Sequence, residues 1–265
     1  MVHRTAASFL AAHVMDPATI ELQVAVAGRP QSEVLSITVD GQAIEPKELA
    51  TDAGGRLHRF RSPAGRLEVN YRCEVDGALP VAPVEPLDAT VFLRPSRYAE
   101  SDHLAETAMN QFAGTTDPAE LLRGVAAWVG GRLAYVGGSS IGTDGAVDTL
   151  RVGVGVCRDY AHLTVALLRA RDVPARVAAV YAPGLWPMDF HAIAEALIDG
   201  RWYAVDPTLL APRQTMLRIA TGRDAADTAF LSSYGGEVRL DLIEISAVVD
   251  GDLPADDLDH LVALS

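Results

Sequence analysis

Cys157 lies in the run Gly153-Val-Gly-Val-Cys157-Arg-Asp-Tyr-Ala-His-Leu-Thr-Val-Ala-Leu-Leu, where a glycine-punctuated loop enters a long apolar stretch. This spacing predicts a thiol on the first turn of a helix. The positive end of a helix and its free N–H groups favour thiolate over thiol. The same N–H groups stabilise an oxyanion when the thiolate attacks a carbonyl. Downstream, Asp189-Phe-His191-Ala offers a histidine and Trp202-Tyr-Ala-Val-Asp206-Pro an acid, in the chain order Cys, His, Asp. A lone cysteine at a helix start is ordinarily structural. The three elements together point to nucleophilic catalysis, with Cys157, His191 and Asp206 as the candidate catalytic residues.

A turn brings the last two together. Asp199-Gly200 is a two-residue hairpin signal. Pairing Ile198 with Arg201 sets Asp206 opposite Ile193, and His191 shares the face of Ile193. His191 and Asp206 then become diagonal neighbours, roughly 7 Å apart along the backbone. A carboxylate on one imidazole nitrogen fixes the tautomer and leaves the other nitrogen free to face Cys157. Pro207 limits how far the strand continues past Asp206.

Other residues of the right type compete less well. Cys73 falls on the apolar face of an alternating run and reads as a packed thiol. His162 follows Cys157 by five residues, about 140° away around a helix, so it is expected to pack or hydrogen-bond rather than act as the base. Asp159, on the first turn after Cys157, suits the helix dipole. Trp128, Trp186 and Trp202 are read as core, with cleft wall as the alternative. The histidines lack metal-ligand spacing, and Gly153-x-Gly155 lacks the rest of a dinucleotide fingerprint. No cofactor and no metal is called for.

The elements that position these residues fall into two parts. Residues 1–95 read as β, with runs at Glu21–Val26, Val34–Val39 and Arg66–Val75 separated by turns such as Asp40-Gly41 and Gly54-Gly55. In the last run Leu67, Val69, Tyr71, Cys73 and Val75 alternate with polar residues, so one face is buried. Pro80, Pro83, Pro86 and Pro95 mark a junction. Asp117-Pro118 caps a helix with Leu121, Leu122, Val125 and Val129 on one side, Ala146–Leu150 is a short helical turn, and the Cys157 helix runs to about Arg171. Three strand candidates follow, from Arg176, Phe190 and Arg201. The acidic tail Asp250–Asp259 reads as a solvated surface segment.

Composition narrows the function class. The net charge of −13 and the single lysine, Lys47, argue against nucleic acid or an anionic membrane as partner. The N-terminal run Met1–Met15 is faintly signal-like, but His13 and Asp16 interrupt it, and no 20-residue apolar window offers a membrane span. Two cysteines exclude a disulfide scaffold, so a reduced, cytoplasmic protein is expected.

The blocks Gly-Val-Cys157-Arg-Asp-Tyr-Ala-His, Val173-Pro-Ala-Arg176, Asp189-Phe-His191-Ala and Trp202-Tyr-Ala-Val-Asp206-Pro-Thr resemble the transglutaminase-like superfamily in order and spacing. The likeness spans roughly 95–230 and is nearest to bacterial members grouped as cysteine proteases with a β-rich N-terminal domain. It implies an α+β fold: a β domain over 1–95, then a papain-like catalytic domain over 96–265, its cysteine helix packed on an antiparallel sheet. It implies a thiol-dependent hydrolase, a peptidase or amidase acting on a peptide or amide-containing substrate through a thioester. Acyl transfer to an amine and a non-catalytic binding module are the alternatives. Animal transglutaminases carry a tryptophan shortly before the nucleophile, where Thr143 stands here, and no calcium-ligand cluster is recognisable. Both departures weigh against a calcium-dependent crosslinker. Oligomeric state is left open.

Overall fold

The apolar N-terminal run is a strand. In the computed structural model, which describes residues 2–265, β1 (His3–Val14) buries Ala6, Ser8, Leu10 and Ala12. Met1, where that run begins, lies outside the described residues. β2 (Ala18–Leu22), β3 (Ser32–Val39), β4 (Gln42–Ala43), β5 (Lys47–Ala50), β6 (Arg56–Ser62) and β7 (Gly65–Asp76) follow. On β7 the five apolar residues from Leu67 to Val75 are buried in alternation, as the two-residue period of a strand requires. The strand expected over 21–26 instead covers 18–22. Beyond it the Gln23 N–H donates to the Phe230 carbonyl and the Val26 N–H to the Tyr71 hydroxyl, so these residues leave the ladder.

Helices α1 (Asp88–Val91), α2 (Ala105–Gln111) and α3 (Pro118–Arg132) come next. The Asp117 carboxylate accepts the Glu120 N–H at 2.8 Å and Pro118 opens the first turn, the local reason α3 begins there. β8 (Ala134–Tyr135) pairs in parallel with β9 (Val154–Gly155), which follows α4 (Ala146–Val152). α5 (Cys157–Arg169) is buried at every residue from Asp159 to Arg169. Such a helix is surrounded by protein.

α5 lies on an antiparallel sheet of order β12-β11-β10-β13, made of β10 (Ala175–Tyr181), β11 (His191–Ile198), β12 (Arg201–Val205) and β13 (Leu217–Gly222). Ala175, Ala194 and Ala196 on the strands share a core with Leu163, Val165 and Leu167 of α5, and their small side chains let helix and sheet approach closely.

The chain then returns to its beginning. β14 (Leu231–Tyr234) pairs with β2 and β15 (Val238–Val249) with β1. The two resulting sheets, β15-β1-β7-β3-β4 and β14-β2-β6-β5, share a core that includes Leu10, Val69, Ile20 and Phe60. The stretch expected as the catalytic domain, 96–265, thus also contains two strands that pair with the N-terminal region, β14 and β15. Those strands complete the sheets of the N-terminal region, because their backbone groups pair there. The solvated-tail expectation is corrected at Asp256. Its carboxylate takes the buried Arg213 guanidinium at 2.8 and 2.9 Å, which outweighs burial and holds the acid below its usual range. No helix among the described residues is long and apolar enough to cross a membrane.

Candidate active site

Cys157 is held at the start of α5 by a small network. The Asp159 carboxylate accepts the Val156 N–H at 2.8 Å with one oxygen and the Ser140 hydroxyl at 2.9 Å with the other. Asp159 is therefore a helix cap, a sharper role than a favourable dipole. Arg158 donates to Ser140 Oγ at 2.5 Å and to the Ile141 carbonyl at 2.8 Å, which ties the preceding loop to the first turn. Gly155 makes room for this arrangement: a Cβ there would stand 2.7 Å from Cβ of Asp159. The thiol of Cys157 remains half-buried at the front of the helix.

The hairpin register agrees with the sequence reading. Asp199 and Gly200 both have positive φ, 48° and 74°, and pairing runs from Ile198↔Arg201 to Ala194↔Val205. Asp206 follows the end of β12, and His191 opens β11. His191 Nε2 lies 2.7 Å from Asp206 Oδ2, both side chains fully buried. The other Asp206 oxygen accepts the Thr208 N–H at 3.0 Å and its hydroxyl at 2.7 Å. Thr208 thus orients the acid that orients the histidine. Its signal was the Asp-x-Thr spacing of an Asx turn. α3 supports the same corner, since a Cβ on Gly130 would meet the Pro207 carbonyl at 2.8 Å.

Burial disfavours a charge on His191, but the Asp206 carboxylate and then the neighbouring Cys157 overcome it and push the imidazole up to about 10. Nε2 is taken by Asp206, so the interaction with Cys157 falls to Nδ1. That atom is buried and makes no hydrogen bond of ordinary geometry. A ring with one nitrogen anchored and the other unbonded, on the same cavity as a thiol, can exchange a proton with it.

Tyr135 was not singled out by its sequence context. The β8–β9 pairing sets it beside Gly155, two residues before Cys157, near enough for Cys157 to influence its phenol. Burial, with Cys157 and Asp189 adding to it, pushes the phenol up to about 12, so it keeps its proton at neutral pH. A phenolic O–H donor therefore stands in the neighbourhood of the thiol.

The competing residues fall where their chemistry is inert. His162 stacks on Tyr98 and accepts the Ala225 N–H at 3.0 Å, and burial, with Arg158 and Arg169 nearby, pushes it down to about 3. It is a neutral packing residue. Cys73 is buried in the β core, and burial raises its thiol. Trp202 is core beneath Arg176 and Trp128 packs edge-on against Phe112, whereas Trp186 is neither core nor cleft wall, at 83% exposure. Thr143 is exposed and does not line the cleft. A cavity of about 270 Å³ adjoins the thiol, lined by both Cys157 and His191.

Residues 105–207 match the family model of the transglutaminase-like superfamily. The crystal structure of a "Putative Cysteine Protease" from Cytophaga hutchinsonii superposes with a TM-score of 0.85 and 32% sequence identity, over 99% of this chain and 96% of that one. An uncharacterized protein of Mycobacterium leprae (strain TN) is 26% identical over 163 residues, 57% of this chain, and the match spans 57% of that relative's length.

Proposed function

The chain belongs to the transglutaminase-like superfamily, and from that membership we propose that it is a thiol-dependent hydrolase, a cysteine peptidase or amidase. The observation that carries the reading is the buried His191–Asp206 pair beside a half-buried thiol at a helix start.

With His191 raised to about 10, its Nδ1 already holds the Cys157 proton; the thiolate attacks the amide carbonyl, and Asp206 stabilises the imidazolium. The Cys157 N–H serves as the first oxyanion donor and the Tyr135 O–H, in the neighbourhood of Cys157, as the second. His191 then protonates the leaving amine, and a thioester remains on Cys157. Water, deprotonated by His191, attacks the thioester; the tetrahedral intermediate collapses with the Cys157 thiolate as leaving group, and the proton stays on His191. No cofactor enters either half of the cycle.

Water is favoured over an amine as acceptor because the thiol is only half-buried and stands open to solvent. An enzyme that neither excludes water nor binds an amine mainly hydrolyses. A cytoplasmic location is part of the proposal, since a reducing compartment keeps the two free thiols, Cys157 and Cys73, in reduced form.

The test begins with iodoacetamide, which should label Cys157 and spare Cys73, and then follows products by mass spectrometry on peptide amides with a primary amine titrated in. Carboxylic acid product at all amine concentrations is expected. Dominant amine adducts would assign the chain to acyl transfer, and an unreactive Cys157 would remove the thiol mechanism altogether.

A further inference from the structure

The cavity beside Cys157 is built from both halves of the molecule. Phe190 and Phe230 stack at 5.1 Å to form one wall. Ala179 and Ala192, opposite each other across β10 and β11, also line the space, and their small side chains keep it open. Leu231 opens β14 and Gln23 follows the end of β2, so the N-terminal region closes the far side.

We propose that this cavity is a specificity subsite for a large apolar side chain, aromatic or branched aliphatic, within one or two residues of the amide that Cys157 attacks. The inference rests on the thiol-hydrolase reading and adds to it a substrate class and a role for the β sheets. The volume, about 270 Å³, lies just below the roughly 300–1,000 Å³ of small-molecule sites and suits a side chain rather than a whole ligand.

Two of the polar side chains at its edge, Gln23 and Arg158, are already engaged. The Gln23 amide N–H groups bind the carbonyls of Asp227 and Ala229 at 2.9 and 3.3 Å. The Arg158 guanidinium is turned to Ser140 and Ile141, with the buried Asp159 carboxylate 3.4 Å away to match its charge. A carboxylate or ammonium entering this space would give up its hydration against phenylalanine and alanine walls. A phenyl ring or a leucine would exchange water for those walls and gain by it.

The full chain is to be treated with dipeptidyl acyloxymethyl ketones that differ only in one side chain: Phe, Leu, Ala, Gln, Glu or Lys, at the first or the second position from the warhead. The readout is the second-order rate of Cys157 labelling, mapped by mass spectrometry, with iodoacetamide as the probe that carries no side chain. At one of the two positions Phe and Leu should react about ten- to hundred-fold faster than the other four, the discrimination one apolar pocket provides. Phe230→Ala and Ala229→Leu, which open and fill the cavity from different positions, should each cut the Phe-to-Ala rate ratio by about ten-fold.

Equal rates across the series, or a preference for Glu that would make Arg158 the determinant, would overturn the subsite while leaving the reactive thiol intact. Failure of Cys157 to react even with iodoacetamide would strike the thiol reading instead.

Discussion

Replacing Asp206 by asparagine isolates what the acid does to the imidazole. The amide keeps an oxygen for the Thr208 N–H and hydroxyl, at 3.0 and 2.7 Å in the native corner, so the turn is retained. On the other side a carboxylate oxygen 2.7 Å from His191 Nε2 becomes an N–H donor. Nε2 must then accept, and the imidazole proton moves to Nδ1, the atom that should receive the proton of Cys157. The charge is lost as well. His191 now stands at about 10 because Asp206 and Cys157 outweigh burial. Without the carboxylate, its two raising contributions are gone and the ring falls toward its ordinary value of 6.5. At pH 8 a group at 6.5 is only about 3% protonated, so the imidazolium that supports the thiolate drops by about 30-fold.

The assay is iodoacetamide labelling of Cys157 across pH 5–10, followed by turnover on whichever substrate the native chain cleaves. Asp206→Asn should lower labelling at pH 8 by about 30-fold, and kcat by about 10³–10⁴-fold through the wrong tautomer. A variant that is folded and whose pH–labelling profile superposes on the native one would refute the coupling of His191 to Asp206 as the source of reactivity.

Tyr135→Phe removes one oxyanion donor and should lower kcat by about 10²-fold with little change in KM, measured by steady-state kinetics; unchanged kcat would leave the phenol a packing role only. Gly130→Ala puts a methyl where the Pro207 carbonyl stands at 2.8 Å, and should cost about 1–3 kcal/mol in denaturant unfolding while reducing turnover through displacement of Asp206. Two of the buried histidines, His162 and His191, should separate in pH-dependent stability. His162, held at about 3, is neutral in the fold but binds a proton when unfolded, so stability should fall as pH drops from 6.5 toward about 3, and His162→Gln should flatten that limb of a urea midpoint–pH curve. His191, held at about 10, contributes stability fully present below 6.5 and lost as pH rises from 6.5 through about 10, so His191→Gln should flatten the alkaline limb instead.

Much of the candidate site is legible in local physics. Cys157 at a helix start, Asp117-Pro118 at another, the buried alternation from Leu67 to Val75 and the Asp199-Gly200 turn are each specified within a few residues by capping, periodicity and allowed φ. The turn alone determined the register that carries Asp206 to His191, because a two-residue hairpin leaves one pairing. The chain beyond such local rules had to be folded to be read. Tyr135 reaches Cys157 through a parallel pairing of two residues, too short to imprint any hydrophobic period. β15 closes on β1 across more than two hundred residues of chain, and Asp256 finds Arg213 from a tail whose composition reads as solvated. Phe230 and Gln23 meet at the cavity beside the thiol only once β14 has paired with β2. Such contacts depend on loop closure over long separations and on the shape of surfaces already assembled, and neither leaves a mark in a short window of sequence.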